Sequence, residues 1–102
     1  MHFRQVVDGH CDTITALTSQ KRGLGEYSTK GQLDLPRMLL GGVNVQFFAI
    51  FISPAQKDMA LKRCLQLVDA FFLELEKNKD TLELALDAVD IERITEIGRA
   101  HV

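Results

Sequence analysis

Val43-Asn44-Val45-Gln46-Phe47-Phe48-Ala49-Ile50-Phe51-Ile52 is almost continuously apolar. A strand with one wet face alternates apolar and polar residues, whereas a strand apolar on both sides must be covered on both sides. The stretch therefore predicts a strand of a parallel sheet packed under helices. Immediately before it, Asp34-Leu35-Pro36-Arg37-Met38-Leu39-Leu40-Gly41-Gly42 reads as a short, punctuated helix. Asp34 can accept the orphan amides of the first turn, Pro36 fits where no N–H is needed, and Gly41 or Gly42 can end the helix in a left-handed conformation.

Further back, Phe3 to Cys11 predicts a first strand, and Asp12 to Ser19 is ambiguous between a loop and a short helix. Lys21 to Gln32, with Gly23, Gly25 and Gly31 among polar residues, predicts an exposed loop. Beyond Ser53-Pro54, Ala55 to Lys77 is the clearest helix: Leu61, Cys64, Leu65, Val68, Phe71, Phe72 and Leu75 recur at steps of three and four. That stripe predicts a core-facing side. A turn over Asn78 to Thr81, a short strand over Leu82 to Leu86 and a short helix over Asp87 to Glu96 complete the pattern. Alternating strands and helices predict an α/β fold with a parallel sheet. Two or three strands leave such a sheet unfinished. A (β/α)8 barrel takes roughly 250 residues, so the 102 residues here are expected to supply the N-terminal portion of one.

Composition narrows the function. A net charge of -2 gives no basic footprint for nucleic acid and no cationic face for anionic lipid. No apolar run approaches the roughly 20 residues that span a bilayer. Met1-His2-Phe3-Arg4-Gln5 shows no leader pattern, and a cytoplasmic location with Cys11 and Cys64 as reduced thiols is expected.

The residues that carry chemistry lie at the end of the first strand, in Asp8-Gly9-His10-Cys11-Asp12. Residues two apart on a strand share a face, so His10 and Asp12 project together, and Cys11 points away and is not counted as a ligand. An imidazole and a carboxylate side by side suit one half of a site for Zn²⁺ or a similar divalent ion. Taken alone, His-x-Asp is a weak signal that occurs often by chance; a solvated His and an Asp capping a turn explain it more readily than a metal does. Asp8, on the same face by parity, either orients His10 or bonds to backbone. Gln46, polar within an apolar strand, either faces a barrel interior near the metal or satisfies a neighbouring backbone group.

Three motifs in order sharpen this. Asp8-Gly9-His10-Cys11-Asp12, then Asp34-Leu35-Pro36-Arg37 before Gly41-Gly42-Val43, then Gln46-Phe47-Phe48 resemble the opening of the membrane (renal) dipeptidase family of zinc metallopeptidases. The resemblance extends less distinctly to about Glu96. It implies a (β/α)8 TIM barrel that hydrolyses dipeptides at two zinc ions, with His10 and Asp12 as ligands of one. It also implies a bridging Glu in a Gly-x-Glu-Gly-Gly segment and two further His on later strands. This chain holds no such segment, so the isolated chain is expected to be inactive, its full-length parent being the enzyme and a possible homo-oligomer. Two other readings stand beside it. One is a different metal-dependent barrel hydrolase of amides or esters, against which Asp12 argues, because many of those carry His-x-His on the first strand. The other is a small non-enzymatic α/β protein that binds a partner through its sheet.

Residues 1–96 are thus expected to form the N-terminal part of a metallo-dipeptidase barrel, and residues 97–102 a non-native tail. One ordinary choice of codons for Ile97 to Val102 spells the start of a common short-read sequencing adapter. On that reading His101 is no ligand.

Overall fold

A computed structural model describes residues 6–96 and the backbone of Ala100–His101. Phe3 to Gln5 of the expected first strand, and residues 97–99 and 102 of the expected tail, lie outside the described residues. Strand β1 (Val6–Cys11) leads into helix α1 (Thr13–Gln20), and after a long loop come α2 (Leu35–Gly41) and β2 (Val43–Phe48). A 3-10 turn (Pro54–Met59), α3 (Ala60–Lys77), β3 (Leu82–Glu83), α4 (Ala88–Glu96) and β4 (Ala100–His101) follow. The strands form one sheet in the order β1-β2-β4-β3, and every pairing in it is parallel. The α/β class and an open, incomplete parallel sheet are as expected. Backbone of the anticipated tail joins this sheet, with Ala100 beside Leu82 and His101 between Val45 and Glu83.

β1 and β2 hold the register Val6↔Val43, Val7↔Val45, Asp8↔Gln46 and Cys11↔Phe48, with two irregularities. At the first, β2 has one extra residue, Asn44, whose side-chain Oδ1 accepts the Val6 N–H at 2.9 Å in place of a ladder carbonyl. At the second, β1 spends three steps from Asp8 to Cys11 where β2 spends two. β2 stops at Phe48, four residues short of the expected Ile52. The ladder continues one bond further, from Ala49 N–H to Cys11 C=O at 2.8 Å.

The ambiguous segment after β1 is helical, and it ends at Lys21 in a left-handed conformation (φ 51°). Ile14 and Leu17 are its core contribution. α2 has the termini its sequence predicts. Asp34 Oδ1 accepts the Arg37 N–H at 2.9 Å, and Gly42 closes the helix at φ 75°.

Two expectations need correction. The loop over residues 21–32 is not simply exposed. Leu24 is fully buried among Ile14, Leu17, Leu35, Met38, Leu67 and Leu82. Its N–H donates to Glu74 Oε1 and its carbonyl accepts from Leu35 N–H at 2.8 Å. A Cβ on Gly23 would sit 3.0 Å from that Glu74 oxygen, so the bare glycine backbone permits the close approach. Secondly, the long helix does not run unbroken from Ala55. Ser53 caps a 3-10 turn first, and α3 proper begins at Ala60. Its buried positions are Leu67 and Glu74, with Phe71 packing on Phe48 of β2 at 5.9 Å between ring centroids. Leu61, Leu65 and Phe72 of the expected core stripe are exposed. Phe71 and Leu75 of the stripe pack against the core, while Leu61, Leu65 and Phe72 face outward.

Asp34 is fully buried and saturated. Oδ2 accepts from Ser28 N–H (3.1 Å) and Arg37 Nε (2.7 Å), alongside the helix amide on Oδ1. Burial works to raise its pKa, but the Arg37 and Ser28 amides and the Arg37 guanidinium outweigh burial and hold the carboxyl below its ordinary value. A lowered folded-state pKa stabilises above the unfolded-state value and loses that contribution as pH falls through the folded one. Asp34→Asn is expected to cost about 2 kcal/mol near neutral pH. Its urea midpoint should also fall less between neutral pH and pH 3 than that of the unsubstituted chain, and parallel curves for the two chains would contradict this. Leu24→Ala should cost about 3 kcal/mol by chemical denaturation; a loss typical of a surface position would show that the loop does not belong to the core.

Candidate metal half-site

β1 ends where its side chains must serve the start of α1, and the bulge decides how they point. A bulge re-aims the side chains it contains. Strict alternation from Asp8 to His10 therefore does not hold as the sequence reading assumed. What ties these two residues is instead a local turn-like bond, from His10 N–H to Asp8 Oδ1 at 3.3 Å. Gly9 occupies the bulge with nothing within reach of a Cβ.

Asp12 stands at the N-cap position of α1, yet its carboxylate accepts no bond from the helix amides. Its backbone carbonyl takes the local bonds instead, from Thr15 N–H at 3.0 Å and Thr15 Oγ1 at 2.6 Å. The side chain is left free to reach back along β1, where Oδ1 lies 3.0 Å from His10 Nε2. Both side chains are more than half exposed. With the ring proton on Nε2 this is a hydrogen bond; with it on Nδ1, Nε2 and Oδ1 are two adjacent lone-pair atoms.

Whether they suit a metal is a matter of distance and donor chemistry. Two ligands each about 2.0–2.1 Å from a tetrahedral Zn²⁺ lie roughly 3.3 Å apart. The 3.0 Å separation is close to that edge, and one nitrogen with one oxygen is an ordinary donor pair for such an ion. The pair fits, and it is half a set. Among the described residues no group of three or more His, Cys, Asp or Glu could hold a metal ion.

The other residues singled out by sequence fall into place differently. Cys11, half-buried, is pushed up in pKa, first by burial and more weakly by the Asp8 and Asp12 charges, against hydrogen bonds with Thr13 that lower it. Gln46 is buried opposite Asp8, but its Nε2 donates to the Phe47 carbonyl at 3.0 Å and its Oε1 has no partner. No hydrogen bond joins it to His10 or Asp12. A cavity of about 730 Å³ lies between the end of α1, the glycine-rich loop and the C-terminal half of α3. None of Asp8, His10 or Asp12 lines it. Sequence reasoning missed Glu74, the buried carboxylate that holds this loop. A Glu on a stripe of Phe and Leu was its one visible signal.

The Cys11 shift is measurable. In a Cys64→Ser variant, the pH midpoint for alkylation of Cys11 should lie higher in the folded chain than in denaturant. Equal midpoints would remove burial as the controlling factor.

A model of the family described as membrane dipeptidase (peptidase family M19) matches residues 1–102. No curated protein matches the chain.

Proposed function

The chain belongs to the membrane dipeptidase family, and from that premise we propose that it supplies the first-strand half of a dipeptidase metal centre. His10 Nε2 and Asp12 Oδ1 are the donors, and Zn²⁺, on which this family in general depends, is the ion. The observation that carries the reading is the 3.0 Å approach of these two atoms by a carboxylate that stands at a helix N-cap without capping it. An Asp placed there only for the helix would bind the amides of its second or third residue.

In the complete centre, bound metal would activate water and polarise the scissile carbonyl of a dipeptide. The contribution of this chain is narrower. His10 must present an unprotonated Nε2 to the ion, which fixes the ring proton on Nδ1. Asp8, bonded to the His10 amide, stiffens the bulge on which the imidazole stands. Asp12 is positioned by the start of α1 through Thr15. The (β/α)8 barrel is the complete architecture we assign, with β1 and β2 as its adjoining strands. Gln46, bonded to Phe47, is assigned a structural role in β2.

Two donors in an exposed place hold an ion weakly, and the 102-residue chain is proposed to be inactive as a dipeptidase. Isothermal titration with ZnCl₂ should show weak binding that both His10→Ala and Asp12→Ala diminish. Dipeptide hydrolysis with Zn²⁺ present should stay at the level of the metal-only blank. Turnover by the purified chain, or binding indifferent to both substitutions, would overturn the proposal.

A further inference from the structure

Glu74 is committed to the glycine-rich loop through one oxygen only. Its Oε1 takes the Leu24 N–H, while Oε2 has Lys77 Nζ at 3.7 Å, beyond hydrogen-bond reach, as its ion-pair partner. The Glu74 side chain is 6% exposed, and a charge so deeply placed is costly until it is paired and hydrogen-bonded. In front of it lies the cavity of about 730 Å³, whose lining also includes Leu17, Ala70 and Leu73. That volume falls within the roughly 300–1,000 Å³ of small-ligand sites. The helices that wall it, α1 and α3, already touch each other. Strands completing the sheet would add beyond its outer strands β1 and β3, away from the space between these two helices.

The charges around the cavity say what it takes. α1 ends at Lys21 and α3 at Asn78, both in its lining, and the carbonyl ends of helices favour positive charge. Glu74 adds a full negative charge at the same place. The interior is therefore suited to a cation. The mouth has the opposite sign, since among the exposed charged residues of the lining Lys21 and Lys77 outnumber Glu26. A ligand that answers both carries an ammonium for Oε2, a carboxylate for the lysines and an apolar side chain for Leu17 and Leu73. Lys77, held off from Oε2, can yield it to the ammonium and turn to the carboxylate.

We infer that this cavity is a second ligand site, for a zwitterion of the α-amino acid kind, taken up free or as a short peptide. Glu74 binds the ammonium, and Lys77 with Lys21 binds the carboxylate. The inference stands apart from the metal reading. The cavity lies at the far end of α1 from Asp12, about 12 Å along the helix, and needs no ion.

An NMR titration of the isotope-labelled full chain with L-leucine, in the presence of EDTA, tests it through the Leu24 amide that Glu74 holds. The expected result is a saturable shift of the Gly23, Leu24 and Gly25 amides. N-acetyl-leucine, which lacks the ammonium, and leucine amide, which lacks the carboxylate, should each bind about tenfold more weakly. Glu74→Gln keeps an acceptor for Leu24 but removes the charge, and should weaken leucine about tenfold as well. If that variant fails to fold, Lys77→Met, at an exposed position, should still weaken leucine severalfold without weakening leucine amide. Leucyl-leucine binding more tightly than leucine makes the ligand a short peptide; leucine binding at least as tightly makes it a free amino acid. No saturable shift with either, blocked analogues that bind as well as leucine, or a shift seen only without EDTA overturns the inference.

Discussion

Parallel pairing of β1 with β2 is the constraint from which the rest of the molecule follows. Two antiparallel strands can be closed by a tight turn, but two parallel ones need a crossover that carries the chain back over the sheet. Here the crossover is α1, the glycine-rich loop and α2, residues 12–42. It must hide its own apolar side chains and settle its own backbone polar groups on the way. Leu24 does the first by entering the core with Ile14 and Leu17. The second is managed by buried carboxylates: Glu74 receives the Leu24 amide, and Asp34 receives those of Ser28 and Arg37. The glycine-rich loop is thereby fastened to α3 at one point and to the start of α2 at another.

Three carboxylates near this crossover show how burial separates structural from chemical duty. Asp34 and Glu74 are buried, and each accepts backbone amides that would otherwise be orphaned. A carboxylate so placed is committed to the backbone it holds. Asp12 sits at an equally natural position for amide binding and makes no such bond. Its oxygen is turned to His10 in a place open to solvent. A carboxylate left out of the folding hydrogen bonds is free to serve another partner, and here the neighbouring group is an imidazole.

How much of this was legible in the sequence depends on how local each feature is. α2 could be read almost to the residue, because Asp34, Pro36 and Gly42 act within one or two turns of themselves. The parallel class was legible from the doubly apolar run after Val43. Leu24 was not, since a lone leucine among glycines and charges has no period, and only its contact with Glu74, fifty residues on, gives it meaning. The α3 stripe was legible as a stripe but not in its facing, because an apolar line does not say whether it meets the sheet or a different neighbour. Parity along β1 was the most misleading signal. The extra residue between Asp8 and Cys11 breaks the two-residue period that was used to place them.

That break bears on why His10 and Asp12 still meet. Had their approach rested on strand alternation, the bulge would have scattered them. It rests instead on two short-range devices: the Asp8 carboxylate holding the His10 amide, and Thr15 anchoring the Asp12 carbonyl at the start of α1. Both lie within three residues of the groups they hold. The donor pair is therefore set by chain segments adjacent to it, and it does not wait on the strands that would close a sheet into a barrel. What distant strands would add is the number of ligands, and with it affinity, because two donors leave most of the ion's coordination to water.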